Sequence, residues 1–101
     1  MNKRFKITRL NEQGEPTLTL EECQEVFATF EGFKYQDSFT ATSKEGVGMT
    51  LKGDFFMWTF GDTQIPFRFF GGEVYVAISK PEILHKAIAI ADVLKATYVE
   101  G

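Results

Sequence analysis

The sequence predicts an α+β fold: a two-layer sandwich in which an antiparallel β-meander of about five strands, with an N-terminal strand added at one edge, carries two helices on one face. Three observations lead there. Glycine pairs at Gly53-Asp54, Gly61-Asp62 and Gly71-Gly72 break the stretch from Val47 to Ile78 into hydrophobic runs. Glycine supplies the positive φ that tight hairpins demand, so each pair reads as a two-residue turn. Two further segments, 20–31 and about 80–98, repeat apolar residues at helical spacing.

Residues 4–10 alternate, with Phe5 and Ile7 on one side and Arg4, Lys6 and Thr8 on the other, which predicts an edge strand guarded by basic side chains. Asn11 to Pro16 is a loop. Thr19 is an N-cap with Glu22 completing a capping box, and Leu18 with Cys23 supplies a hydrophobic staple. The helix that follows buries Leu20, Cys23, Phe27 and Phe30 and stops at Gly32. Residues 33–36 form a connection without a clear state. Residues 38–43 alternate as a strand that turns through Lys44-Glu45-Gly46; a three-residue reversal with Gly46 left-handed is preferred and sets Phe39 and Ala41 on the apolar face beside Leu51 and Met49, whereas a two-residue turn would set them on the opposite face.

The three glycine turns predict one alignment of the meander. Residues equidistant from a turn face each other, so Phe69 meets Val74, Phe67 meets Val76, Trp58 meets Ile65, Phe56 meets Phe67 and Leu51 meets Phe56. One face then gathers Val47, Met49, Leu51, Phe56, Trp58, Phe60, Ile65, Phe67, Phe69, Val74, Val76 and Ile78, a set that a one-residue slip would scatter. The last helix opens at Ser79-Lys80-Pro81-Glu82 with a second capping box and carries Leu84, Ala87, Ile88, Ala91, Leu94 and Tyr98 inward. Glu82 to Lys86 and Asp92 to Lys95 are expected as surface ion pairs. Two helices about 10 Å wide cover most of one face of a sheet about 24 Å across, leaving the other uncovered.

One domain of 101 residues suffices for this core. A net charge of −3 argues mildly against a nucleic-acid binder. The single cysteine, Cys23, leaves no internal disulfide, and the N-terminus lacks the apolar centre of a signal peptide; both favour a cytoplasmic protein. No catalytic, metal or phosphate-binding motif stands out. His85 and Cys23, each the only one of its kind, have no spacing that unites them with carboxylates. Asp54 and Asp62 lie at opposite ends of one expected strand, about 25 Å apart, too far to act as an acid–base pair. No cofactor and no enzymatic activity are expected.

The uncovered face supplies the candidate site. Lys52, Phe55, Met57, Arg68, Phe70 and Tyr75 cluster there in the expected register, with Arg68 opposite both Phe55 and Tyr75 and so able to stack on a ring. Exposed aromatics, methionine and arginine with few acids match the centre of a protein interface. A second candidate surface is acidic: residues 11–31 hold six glutamates and no base, with Glu21, Glu22 and Glu25 on the first helix. The sequence therefore predicts a non-enzymatic protein-interaction module, either a homodimer or a stoichiometric inhibitor or adaptor, with no membrane association. Single-stranded nucleic acid stacked on the aromatic face is the alternative.

Overall fold

The computed structural model describes residues 3–42, 46 and 48–100. It is an α+β sandwich with six antiparallel strands in one sheet and two helices. The elements are β1 (Lys3–Thr8), α1 (Leu20–Ala28), β2 (Phe33–Thr42), β3 (Gly48–Phe60), β4 (Thr63–Phe70), β5 (Glu73–Ile78), α2 (Pro81–Leu94) and β6 (Thr97–Glu100). Spatial order is β2-β3-β4-β5-β1-β6.

Two of the three expected hairpins form with the expected alignment. Phe56 pairs with Phe67 and Trp58 with Ile65 across the Gly61-Asp62 turn. Phe67 pairs with Val76 and Phe69 with Val74 across Gly71-Gly72. Their inward residues meet Cys23, Phe27, Ile83, Ala87, Ile90 and Leu94 of the helices in one core. Phe27 lies flat on Phe56, ring centroids 4.2 Å apart, and edge-on to Phe67 at 5.8 Å.

The third hairpin does not exist. Residues 48–60 are one strand, and Leu51 does not meet Phe56. Between the pairs Gln36–Phe55 and Ser38–Lys52, β2 advances two residues and β3 three, so Gly53-Asp54 is a β-bulge. A glycine inside an alternating run serves a bulge as well as a turn. The bulge prevails because residues 33–36 are strand rather than connection: Phe33 and Tyr35 pair with Trp58 and Phe56, and the Phe33 ring stacks on Trp58 at 6.0 Å. Asp54 accordingly is no turn residue; it accepts a hydrogen bond from the Tyr35 hydroxyl, which pushes the phenol up to about 12.

Beyond the bulge, β2 and β3 continue as an arm past the helices. Residues 48–52 are all exposed, and the molecule is 47 Å long against 26 and 25 Å across. The arm has the expected alignment, Phe39 with Leu51 and Ala41 with Met49, and Gly46 is left-handed with φ 79°. Residues 43–45 and 47, including the rest of that reversal and the expected inward Val47, lie outside the described residues. Met49 and Leu51, however, are exposed rather than in the helix-covered core.

The N-terminal strand joins the meander beside β5, but it is not the edge: β6 pairs along its other side. The helix expected to run to residue 98 ends at Leu94, where Lys95 takes a left-handed conformation (φ 55°, ψ 41°). The Ala96 amide then bonds back to the Ala91 carbonyl at 2.8 Å. Tyr98 thus lies in β6 with its ring near Phe5, not on the helix stripe. Helix α1 also ends earlier than expected, at Ala28.

The caps differ as well. The Thr19 hydroxyl accepts from the Glu22 amide at 3.2 Å, but the Glu22 carboxylate turns away to Arg9. At α2 the cap position is Lys80, with no side-chain bond, and Pro81 begins the helix, so the second capping box does not form. Lys86 does not pair with Glu82 within ion-pair distance; its ammonium lies 5.5 Å from the Phe30 ring and 5.3 Å from the Trp58 ring.

Candidate functional site

The face of the sheet away from the helices is concave. A groove of about 470 Å³ runs across it, within the range of ligand clefts. Its lining comes from five of the six strands: Arg4 of β1, Phe39 of β2, Leu51 and Phe55 of β3, Pro66, Arg68 and Phe70 of β4, and Tyr75 and Ala77 of β5. Alternation places these residues here. Arg68 pairs with both Phe55 and Tyr75, so all three share a side, and Arg4 follows through its pairing with Ala77.

Four of the six residues anticipated for this site line the groove: Phe55, Arg68, Phe70 and Tyr75. Phe55 is not an exposed aromatic but 3% accessible; the Phe39 ring packs beside it with centroids 5.6 Å apart, and the Arg68 guanidinium lies 5.5 Å from its centroid. Met57, opposite Pro66 and Lys34, is also buried at 3% and falls outside the groove lining. Lys52 falls outside the lining. Its neighbour Leu51 lies in the groove, and alternation directs Lys52 to the opposite side. The bulge causes this exchange. It moves Leu51 from the expected core to the groove and Lys52 out of it. Arg4, Phe39, Leu51, Pro66, Val76 and Ala77 line the groove and were not among the six anticipated residues, and a glycine read as bulge instead of turn would have found Leu51.

Arg68 is the electrostatic centre. Its guanidinium lies near two rings, 5.5 Å from the Phe55 centroid and 5.1 Å from that of Phe70, while Phe70 itself is 60% exposed. Its Nε is shielded from solvent and has no hydrogen-bond partner among the described residues. Neither Arg68 nor Arg4 joins an ion pair among them. The carboxylate of this face, Glu73, is committed elsewhere: Lys6 lies 3.2 Å from it and the Tyr75 hydroxyl donates to it at 3.1 Å. Burial opposes its charge, yet hydrogen bonds, those from Lys6 and Tyr75 among them, hold its carboxyl below the ordinary glutamate range.

The acidic surface is less free than its composition implies. Glu21 and Glu25 are exposed on α1, but Glu22 receives both terminal nitrogens of Arg9, at 2.6 and 2.8 Å. Arg9 also donates to Thr17 Oγ1 at 3.0 Å and to the Leu94 carbonyl at 2.9 Å, so Glu22 helps lock the 11–18 loop, α1 and the end of α2 together. Cys23 is buried in the core, and burial first, then the nearby Glu22 charge, pushes its thiol up to about 12. His85 is exposed on α2. Among the described residues no cluster of three metal-ligating side chains forms, and no helix is long and apolar enough to cross a membrane.

No protein-family model, curated protein or solved structure matches the chain.

Proposed function

We propose that the protein is a non-enzymatic interaction module that holds another protein in the groove on the helix-free side of its sheet. The observation that carries this reading is the groove itself: aromatic and aliphatic walls from four strands, two arginines without ion-pair partners among the described residues, and two exposed apolar residues, Leu51 at 44% and Phe70 at 60%. Apolar area flanked by arginine and aromatic side chains is what the centre of a protein interface offers. Such a module suits an adaptor or a stoichiometric inhibitor.

Single-stranded nucleic acid is the second reading, favoured by the cations that register gathers on this face, Arg4, Lys6, Lys34 and Arg68. Stacking needs accessible ring faces. Phe55 offers none, and one side of Phe70 is taken by Arg68.

Selection from a displayed random-peptide library tests the reading, with counter-selection on a Leu51→Glu, Phe70→Glu variant. Both positions are exposed, so the variant keeps the fold. Enrichment of peptides that bind the native chain and not the variant is the expected result. Enriched peptides that bind both equally would place any partner elsewhere. Sedimentation velocity across a concentration series shows whether the partner is a second copy. Binding of oligothymidylate that weakens steeply with salt would favour the nucleic-acid reading.

A further inference from the structure

Resting on the reading above, we infer that the partner is an acidic, apolar segment in extended form whose carboxylate enters the groove and bonds to Arg68 and Arg4. Three features of the groove converge on a carboxylate.

First, charge on this face is unbalanced. Arg4 and Arg68 line the groove, whereas Glu73 is already occupied by Lys6 and Tyr75. Two guanidiniums sharing a concavity repel each other, and an incoming anion removes that repulsion while gaining charge-assisted hydrogen bonds.

Second, Arg68 is held in place before any partner arrives. The Phe55 and Phe70 rings both lie against its guanidinium, and Pro66 lines the same groove. A planar fork fixed by stacking loses little conformational freedom when it engages a carboxylate. Its shielded Nε is a donor without a hydrogen-bond partner among the described residues. An unmet buried donor costs free energy, so a ligand that accepts from it recovers that cost.

Third, the remaining lining is apolar: Phe39, Leu51, Phe55, Pro66 and Ala77. A bare inorganic anion would leave these surfaces wet. An aliphatic or aromatic residue next to the acidic one in the partner covers them, and the alternation of an extended chain places such neighbours on opposite walls. The charge pattern of the rest of the molecule agrees with a groove built for an anion: Glu21, Glu22 and Glu25 lie on α1, across the sheet from the groove, where they do not compete for the arginines.

The test uses an acetylated, amidated octapeptide alternating glutamate and leucine, and its counterpart with glutamine in place of every glutamate. Each is titrated into the full chain while the arginine Nε–H signals are followed by nitrogen–proton NMR. The Arg68 Nε–H and the backbone amides of β3 and β4 should shift with the acidic peptide. Affinity for the glutamine peptide should be at least tenfold weaker. Arg68→Met should weaken the acidic peptide about tenfold or more with an unchanged fold, while Lys52→Met, on the other side of the sheet, should not. Equal binding of both peptides in the groove overturns the inference and leaves a protein-binding groove standing. Binding of neither peptide at millimolar concentration, or oligothymidylate that displaces the acidic peptide and shifts the same signals more strongly, overturns it as well.

Discussion

On the helix-covered side of the sheet, Phe27, Phe56 and Phe67 lie ring against ring with at most 2% exposure, and Lys86 lies instead against Phe30 and Trp58. On the other side Phe55 is almost as buried, yet what covers it is an arginine and a neighbouring ring from the arm. Burial alone therefore does not separate core from site. The two faces differ in what completes them: α1 and α2 seal one with apolar side chains, whereas the other ends in side chains with unused hydrogen-bonding capacity. A core has satisfied its groups internally; a binding surface keeps some in reserve.

Truncation on each face sharpens the contrast most. Phe67→Ala opens a cavity enclosed by both helices and the sheet, and a loss of about 3–5 kcal/mol in urea-induced unfolding is expected. Phe55→Ala removes the same ring from a site open to solvent on the groove side, where Arg68 and Phe39 can close in; about 1–3 kcal/mol is expected. Equal losses would make the second face an ordinary core.

Arg9 sits behind the helix-covered face and ties its helices to the loop. Arg9→Ala removes bonds to Glu22, Thr17 and the Leu94 carbonyl, and should lower stability by about 1–2 kcal/mol after allowance for its partial exposure. Acid titration approaches both faces at once. The bond from Arg9 holds the Glu22 carboxyl below its ordinary value, and the bonds to Glu73 do the same against burial. Each contribution is complete above the unfolded glutamate value of about 4.3 and disappears as pH falls through the lower native value. Glu22→Gln and Glu73→Gln should each flatten the stability profile in that window. The smallest effect is expected at the end of α2. Lys95→Gly relieves the left-handed strain and should stabilise by about 0.5–1 kcal/mol, read as a rise in melting temperature.

The parts of the fold that were legible in the sequence are those where several local signals agree. Gly61-Asp62 and Gly71-Gly72 sit between runs that share one apolar face, and Thr19 precedes a clear helical stripe. Legibility failed where one signal had two structural uses. Gly53-Asp54 suits a hairpin and a bulge equally, and the decision came from Phe33 and Tyr35, far away in sequence, offering β3 a longer partner. The end of α2 carries neither glycine nor proline, so its apolar spacing ran on through Tyr98 and concealed β6. The candidate site was half legible for the same reason: Phe55, Arg68, Phe70 and Tyr75 depend only on the two turns that form, whereas Leu51 and Lys52 depend on the one that does not.

The stability of an Arg68→Met variant tests most directly whether the second face is a surface kept ready for a partner. Methionine covers Phe55 and Phe70 where the guanidinium now lies and removes an Nε that has no partner among the described residues, so urea unfolding should place the variant within about 0.5 kcal/mol of the native chain or above it. A loss of about 2 kcal/mol or more would show that the guanidinium holds the free fold together, and would contradict the account.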